Sequence, residues 1–350
     1  MTRYDVTKHE LAEMMPGEPA YRSEQVWRGL HLGLSAPEEL TVLPLTLRGR
    51  LGADARLAPG FELEEEAESS KGRTLRWLLR STSDGVLVET VVMKYRDRST
   101  VCVSSQAGCA MACSFCATGQ MGFRRHLRAG EITEQVVLAA RACRDRGWGR
   151  LSNVVVMGMG EPLANYANVA EAIKRCNGEL AIAARAFTLS TVGIVPGISR
   201  LAREPLQVNL AVSLHAARDE LRSSIVPINR RYPLAQVMRA CEDYAAKTQR
   251  RVSFEWALIA GVNDGRADSL ELARLLRPLA GLAHVNLIPL NPTPRYLVAG
   301  SSRRVVGRFR DELLDRGVNV TVRDTRGQDV GGACGQLAGG AQAASIRRRV

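Results

Sequence analysis

The chain has 350 residues and a formal net charge of +12, from 48 Lys and Arg against 36 Asp and Glu. This length suits one large catalytic domain with small appendages. No apolar stretch is long enough to cross a membrane and the N-terminus lacks the apolar core of a signal peptide, so we expect a protein of the reducing cytoplasm. The positive charge favours a polyanionic partner, but charge alone does not identify one.

The first 50 residues are predicted to form a small helical accessory domain. Within it a helix is expected over residues 23–32, with Val26 and Leu30 on one face. Ser23 is predicted to be the N-cap of this helix, because serine at that position accepts a hydrogen bond from an unsatisfied backbone N–H.

A small β-rich segment is predicted over residues 51–94. Two alternating runs, 74–79 and 86–93, are typical of strands, and Thr82-Ser83-Asp84-Gly85 between them is typical of a hairpin turn. Glu89 lies inside the second run. A carboxylate buried there would be costly without a partner, so Glu89 is a candidate site residue unless its face of the strand is exposed.

Residues 95–328 are predicted to form a partial (β/α)6 barrel. Short apolar runs alternate with helical patterns, which indicates parallel strands joined by crossover helices. The strands are expected at residues 100–103, 153–157, 187–191, 208–214, 252–258 and 285–288, with a further strand at 318–322. Functional residues should gather at the carboxyl ends of these strands. Residues 329–350 are predicted to be a C-terminal loop and basic tail.

Three cysteines follow the first barrel strand in the spacing Cys109-x-x-x-Cys113-x-x-Cys116. Three thiolates can hold a four-iron, four-sulfur (4Fe-4S) cluster and leave one iron without a protein ligand. An open iron can bind the amino and carboxylate groups of S-adenosylmethionine and pass an electron to its sulfonium. Gly108 and Gly122 bracket the run and indicate a loop. The motif therefore predicts radical chemistry.

Two other interpretations of these three cysteines remain open. The same spacing would place them on one face of a helix as small buried hydrophobes. A zinc site is the second alternative, although zinc usually takes paired C-x-x-C elements and the sequence offers no second pair.

The other five cysteines fall into two groups. Cys143, Cys176 and Cys241 each continue an apolar helical stripe and are expected in the core. Cys102 ends the first barrel strand, and Cys334 lies in a glycine-rich stretch near the C-terminus. Neither of these two has a helical stripe that would bury it.

Small or polar residues stand at several predicted strand ends, where a cofactor would contact them. Gly160 would let the backbone approach a ligand, and Glu161 could accept a hydrogen bond from an ammonium group. Ser190, the step Ser213-Leu214-His215, and Asn291 could bind ribose or a carboxylate. Each residue alone is more often a satisfied structural group, but their recurrence at one barrel end favours a site.

Ten segments contain or extend these motifs along the chain: GEPAYRSEQVW, LVETVVM, CVSSQAGCAMACSFCATGQMGF, NVVVMGMGEPL, TLSTVGIVPGI, SLHA, IVPIN, GVND, NLIPLNP and ACGQLAG. With them the chain resembles the radical-SAM RNA methyltransferases of the RlmN/Cfr type. The resemblance implies an α/β fold with a radical-SAM partial barrel, one 4Fe-4S cluster per chain, and two S-adenosylmethionine molecules consumed per methylation. It also implies an electron donor such as flavodoxin or ferredoxin, and a monomer.

The activity that the resemblance implies is methylation of C2 of an adenosine in RNA. The substrates would be adenine 2503 of 23S rRNA and, in many members, adenine 37 of tRNA. Two alternatives stay open: C8 methylation of the same rRNA base, as in the Cfr type, and a radical-SAM protein that does not act on RNA.

The resemblance also implies a role for each candidate residue. Cys109, Cys113 and Cys116 would hold the cluster. Cys334 would carry the methyl group, Cys102 would release the product by forming a transient disulfide with Cys334, and Glu89 would accept a proton. The residues that would bind S-adenosylmethionine are Gly160, Glu161, Ser190, Ser213, Leu214, His215 and Asn291.

Local clusters of basic residues are candidates for contacts with RNA phosphates. One cluster, Arg124, Arg125 and Arg128, follows the cysteine motif, and another, Arg347, Arg348 and Arg349, lies at the C-terminus. Ordinary solvated surface is the alternative for both.

Overall fold

The computed structural model describes residues 1–291, 293, 295–323 and 327–337. Its strands are Phe61–Glu68 (β1), Thr74–Ser81 (β2), Leu87–Lys94 (β3), Ser99–Cys102 (β4), Gln106–Gly108 (β5), Phe123–His126 (β6), Leu151–Val156 (β7), Phe187–Thr191 (β8), Asn209–Ser213 (β9), Val252–Leu258 (β10), Ala283–Pro289 (β11) and Asn319–Val322 (β12). Its α-helices are Lys8–Glu13 (α1), Tyr21–His31 (α2), Leu45–Gly52 (α3), Ala117–Met121 (α4), Ala129–Asp145 (α5), Tyr166–Glu179 (α6), Val195–Leu201 (α7), Asp219–Ile225 (α8), Leu234–Thr248 (α9), Arg266–Leu275 (α10) and Arg303–Leu314 (α11). None of these helices is both long enough and apolar enough to cross a membrane.

One ten-stranded sheet organises the fold, in the order β1-β2-β3-β4-β7-β8-β9-β10-β11-β12. Neighbours from β4 to β12 are parallel, whereas β1 to β4 are antiparallel. Strands β1 and β12 are the two edges, so the sheet is open. All seven strands predicted for the barrel are present, and the predicted α/β class with a partial barrel is confirmed. Their shared direction brings the carboxyl ends of the parallel strands to one side of the molecule.

Helix α5 illustrates how the sequence pattern places the helices against this sheet. Ile132, Val136 and Cys143 recur at helical spacing and are all buried. Cys176 on α6 and Cys241 on α9 are buried in the same way. The prediction that these three cysteines belong to the core is therefore confirmed.

The helix predicted over residues 23–32 is observed as α2, but it begins earlier, at Tyr21. Ser23 consequently lies in the first turn, where its hydroxyl donates to the carbonyl of Ala20 at 2.8 Å. The predicted Ser23 cap is wrong, because a serine already inside the helix bonds back to a carbonyl instead of accepting from an N–H. Val26 and Leu30 are buried, as predicted.

The β-rich segment contains a third strand that the alternation did not reveal. Strand β1 is an edge strand with mostly exposed acidic side chains, and charged residues on an edge discourage pairing with another chain. The turn Thr82-Ser83-Asp84-Gly85 joins β2 to β3 as predicted. Strand β3 pairs with β4, so β1 to β3 continue the barrel sheet.

Candidate active site

The three motif cysteines lie on a loop between β5 and α4, which agrees with the predicted loop and excludes one continuous helix. The short strands β5 and β6 pair at its base. Gly108 has φ +74°, and a Cβ there would stand 2.0 Å from the carbonyl oxygen of Gly122. The same carbonyl accepts the N–H of Cys109 at 2.9 Å. Glycine at position 108 therefore permits the close approach that shapes the loop.

A cavity of about 260 Å³ lies at the carboxyl ends of the parallel strands. It is several times larger than the ~30 Å³ occupied by one water molecule. All but two of the predicted site residues line it: Cys102, Cys109, Cys113, Cys116, Gly160, Glu161, Ser190, Ser213, His215, Asn291 and Cys334. The two that do not line it are Glu89 and Leu214.

The cysteine loop suits a cluster better than a single metal ion. Among the residues that the structure describes, no three His, Cys, Asp or Glu side chains are arranged to hold one metal ion. The thiolates of an iron–sulfur cluster bind different irons and do not converge on one point. Burial raises the pKa of Cys109 to about 12, and the neighbouring Cys116 thiolate also raises it. Thiolates at these buried positions would therefore need a strongly cationic partner, which an iron–sulfur core supplies.

The segment that carries Cys334 is held against the residues that follow Cys116. The N–H of Ala117 donates to the carbonyl of Gly335 at 2.8 Å. The side-chain amide of Asn291 donates to the carbonyl of Cys334 at 2.9 Å. Asn291 therefore lines the cavity and also fixes the loop that brings Cys334 to it.

Cys102 and Cys334 are free thiols on the wall of the same cavity. The Cys334 side chain is accessible from the cavity, yet it lies deep in the protein, and this burial raises its pKa to about 11. Burial likewise raises the pKa of Cys102 to about 12, and a Cys334 thiolate raises it further. Both thiols are therefore protonated and uncharged at neutral pH.

Glu161 follows a turn at the end of β7. Gly160 in this turn has φ +103°, and a Cβ there would stand 2.5 Å from Cβ of Gln106. The Glu161 carboxylate accepts the N–H groups of Leu163 at 2.9 Å and Val192 at 2.8 Å. Both donors are neutral, and burial raises the pKa of Glu161 to about 7. A cationic group of a ligand would stabilise its ionised form.

The ends of β8 and β9 contribute hydroxyl and imidazole groups. The hydroxyls of Ser190 and Ser213 are 3.3 Å apart. Nδ1 of His215 accepts the N–H of Ala257 at 3.0 Å, which assigns the ring proton to Nε2. Burial lowers the pKa of His215 to about 3, so the ring is a neutral donor. The side chain of Leu214 is fully buried and does not line the cavity, its N–H donates to the carbonyl of Glu255 at 3.0 Å, and its binding to a ligand stays a prediction.

Glu89 lies on β3 outside the cavity lining. It shares a face of the strand with Met93, which does line the cavity, because residues four apart on a strand point the same way. Its carboxylate is 3.4 Å from Nη1 of Arg76. Arg76 therefore offsets the cost of burying this carboxylate, and the role of Glu89 as a proton acceptor stays a prediction.

Sequence reasoning missed an ionic pair on the cavity wall. Glu255 on β10 is buried, and its Oε1 accepts from Nδ2 of Asn286 at 2.7 Å and lies 3.5 Å from Nη2 of Arg323. Glu255 and Arg323 both line the cavity. The presence of an acidic residue inside the apolar run 252–258 could have indicated this ionic pair from the sequence.

The basic cluster after the cysteine motif divides into two kinds of residue. Arg125 donates to both carboxylate oxygens of Glu131, at 2.8 and 2.9 Å, and is also paired with Asp84. Its guanidinium is therefore engaged by two carboxylates, and contact of this cluster with RNA phosphates stays a prediction. Arg124 is exposed. The cluster Arg347, Arg348 and Arg349 lies outside the described residues.

Comparisons with known proteins agree with this site. The model of the radical SAM superfamily matches residues 103–273. The chain is 48% identical to the probable dual-specificity RNA methyltransferase RlmN of Chloroflexus aurantiacus, over 96% of this chain and 92% of that protein. It is 51% identical to the protein of the same name from Frankia alni, over 95% of this chain and 81% of the relative. A crystal structure of a radical SAM methyltransferase from Sphaerobacter thermophilus is 49% identical and superposes with a TM-score of 0.92, covering 97% of this chain and 99% of that one.

The barrel, the three-cysteine loop and the family match define a radical SAM protein, a class that works with a 4Fe-4S cluster and S-adenosylmethionine. The near full-length identity to curated relatives is more specific. The chain belongs to the RlmN family of radical SAM methyltransferases.

Proposed function

We propose that this protein methylates C2 of an adenosine in RNA, with the methyl group carried on Cys334. The proposed substrates are adenine 2503 of 23S rRNA and adenine 37 of tRNA, which would place the protein in the cytoplasm. One observation carries the proposal: two of the five cysteines outside the motif, Cys102 and Cys334, line the same cavity as Cys109, Cys113 and Cys116. A radical SAM protein that only transferred electrons or activated a partner would not need this second pair of thiols.

The proposed cofactor site uses the residues at the strand ends. Cys109, Cys113 and Cys116 would hold one 4Fe-4S cluster, and a flavodoxin or ferredoxin would reduce it. When bound, the cluster and S-adenosylmethionine supply the methyl group and the radical chemistry that an unreactive aromatic carbon requires. Glu161 would accept a hydrogen bond from the ammonium group of the ligand. Its raised pKa would fall on binding, because the cation stabilises the carboxylate.

The remaining polar groups would orient the same ligand. The hydroxyls of Ser190 and Ser213 can donate to or accept from ribose or a carboxylate. His215 would offer its Nε2–H, since Nδ1 is already engaged by the backbone. Asn291 would contact the ligand at the cavity wall and would also hold the loop that carries Cys334 in place.

The two loose thiols would complete the transfer. Cys334 would carry the methyl carbon as a thioether. One C–H bond of that carbon would break, with the hydrogen atom going to the radical derived from S-adenosylmethionine, and the carbon would bond to C2 of the adenine. Glu89 would accept the proton that C2 loses, and the remaining electron would go to the bound cluster. The thiol of Cys102 would then lose its proton, and its sulfur would attack the sulfur of Cys334. The bond between that sulfur and the carbon breaks, and the carbon takes the electron pair and a proton to become the methyl group. A Cys102–Cys334 disulfide remains, and an external thiol reductant must supply two electrons before the next turnover.

Mass spectrometry of digested rRNA and tRNA from a strain lacking the gene tests the proposal. We expect loss of 2-methyladenosine and its return with the wild-type gene or with Cys143→Ala, a core-cysteine control, but not with Cys334→Ala. Loss of 8-methyladenosine would instead assign C8 as the target. Unchanged methyladenosine content in both RNAs would contradict action on RNA.

A further inference from the structure

Arg222 is a fully buried arginine on α8. Its Nε donates to the carbonyl of Leu214 at 3.0 Å, and its Nη1 donates to Oδ1 of Asn229 at 2.8 Å. Its Nη2 donates to the carbonyls of Val192 at 2.6 Å and Ser213 at 3.1 Å. Every one of these acceptors is neutral, although the donor carries a full positive charge.

No ion pair with a carboxylate neutralises Arg222 in the part of the chain that the structure describes. The link to an acidic group is indirect and passes through Asn229, whose Nδ2 donates to Oδ1 of Asp219 at 2.9 Å. A buried cation with only neutral acceptors is costly unless an anion lies nearby. The hydrogen bonds therefore satisfy the donors of Arg222 and leave its charge without a direct counter-ion.

The cysteine loop lies against the helix that carries Arg222. The N–H of Ser114, the residue after Cys113, donates to the carbonyl of Ile225 at the end of α8, at 3.1 Å. Cys113 also packs in one apolar cluster with Ile225. Burial lowers the pKa of Arg222 to about 10, and among its titratable neighbours a Cys113 thiolate raises that pKa most.

We propose that the missing counter-ion of Arg222 is the thiolate-ligated cluster, and that Arg222 raises the reduction potential of that cluster. The inference rests on the proposed cluster site at Cys109, Cys113 and Cys116. A 4Fe-4S core with three thiolates carries a net negative charge, which becomes more negative when the cluster gains an electron. A fixed cation beside it favours the reduced form, since the attraction increases with the charge. Arg222 contacts no substrate in this account and acts as a positioning residue.

A purely structural role competes with this proposal, because the same hydrogen bonds hold the carbonyls of Val192 and Ser213 at the ends of β8 and β9. Charge and hydrogen bonding can be separated by substitution. Arg222→Gln removes the charge, whereas Arg222→Lys keeps it but cannot reproduce all four hydrogen bonds. Arg218→Gln is the matched control, because Arg218 lies next to α8 but is exposed and paired with Asp268 at 2.9 Å.

The experiment is a redox titration of the anaerobically reconstituted holoprotein, monitored by electron paramagnetic resonance. We expect Arg222→Gln to lower the equilibrium constant for one-electron reduction at least about tenfold, a fall in potential of about 59 mV or more. Arg222→Lys and Arg218→Gln should stay within about threefold of the wild type. An unchanged potential in Arg222→Gln, or an equal fall in Arg222→Gln and Arg222→Lys, would overturn the proposal.

A second variant keeps the test decisive if Arg222→Gln does not fold. Asn229→Asp places a carboxylate at the acceptor of Nη1 and leaves Arg222 in place, so the potential should again fall, and an unchanged potential would overturn the inference. Iron content distinguishes a failure of the proposed function from a failure of the inference about Arg222. Wild-type protein that binds no iron would contradict the proposed function and the inference together. A wild type with a normal cluster and an unshifted Arg222→Gln variant would contradict the inference alone.

Discussion

Buried charges are compensated differently in two regions of the molecule. At the start of α5, where the N-terminal residues pack, Glu131 is paired with Arg125 at 2.8 Å. Asp5 accepts the N–H of Gly130 there at 2.7 Å. In the part of the chain that the structure describes, Glu161 on the cavity wall and Arg222, which bonds to cavity-lining residues but does not itself line the cavity, have only neutral hydrogen-bond partners. We call the first region the α5 junction.

The difference indicates what each region needs from outside the chain. The ion pair of the α5 junction is complete within the protein, so the region holds the N-terminal residues to the barrel and requires no ligand. Among the described residues, the acid Glu161 on the cavity wall and the cation Arg222 beside the cavity are buried without direct counter-charges, which is the arrangement expected where charged ligands bind.

The largest effect is expected at the cysteine loop. Cys113→Ala should abolish the charge-transfer absorbance and methylation activity of the reconstituted protein, because a cluster with two thiolates loses its third anchor. Cys143→Ala on α5 should retain both, since this buried cysteine only fills the core. Iron and zinc analysis of the two variants checks the result. Loss of zinc without loss of iron in Cys113→Ala would contradict the cluster.

Glu134 is the exception within the α5 junction, because its carboxylate accepts the backbone N–H of Gly60 at 2.8 Å and has no ion pair within 4.0 Å among the described residues. Burial raises its pKa from 4.5 to about 7. The unfolded chain therefore loses this proton at lower pH than the folded protein, and stability falls as pH rises from about 4.5 to about 7. Glu134→Gln should remove that loss.

The expected gain of Glu134→Gln over the wild type is about 3 kcal/mol more at pH 8 than at pH 4.5, from 1.4 kcal/mol per pKa unit. Urea unfolding of both proteins across this range measures it. Parallel stability curves for the two proteins would show that Glu134 does not hold its proton in the folded state.

The adjacent residues Arg124 and Arg125 separate surface charge from structural charge. Arg125→Gln should lower the free energy of unfolding by about 2 kcal/mol, because it removes the direct ion pair of the buried Glu131 and leaves only the longer one to Arg128 at 3.7 Å. It should leave the salt dependence of RNA binding unchanged. Arg124→Gln should do the reverse, with unchanged stability and a slope of log affinity against log salt that is shallower by about 1. Equal slopes in both variants would assign Arg124 to solvated surface.

The sequence predicted the parts of the fold that depend on local pattern. The seven barrel strands follow from short apolar runs, and the cysteine loop follows from its glycines. The strand-end residues from Gly160 to Asn291 follow from topology, because parallel strands bring their carboxyl ends together. Ser23 was placed wrongly because a helix start depends on a choice between nearby residues that differ little in energy.

The pairing of charges could not be predicted, because it depends on which distant residues the fold brings together. Arg76 meets Glu89 through the register of β2 with β3. Arg125 meets Asp84 across a gap of 41 residues. In the sequence, Arg222 has the pattern of an ordinary helical arginine. Its burial follows from the fold, which brings it against the carbonyls at the ends of β8 and β9.

The most direct test of the central claim, that Cys334 carries the methyl group and Cys102 releases the product, uses covalent trapping. Protein purified from cells is run on denaturing gels with and without ribonuclease. Cys102→Ala should migrate as a covalent complex with RNA, whereas Cys334→Ala and the double variant should run free, with cluster content retained in all three. Cys102→Ala protein that is free of RNA and fully active would contradict the account.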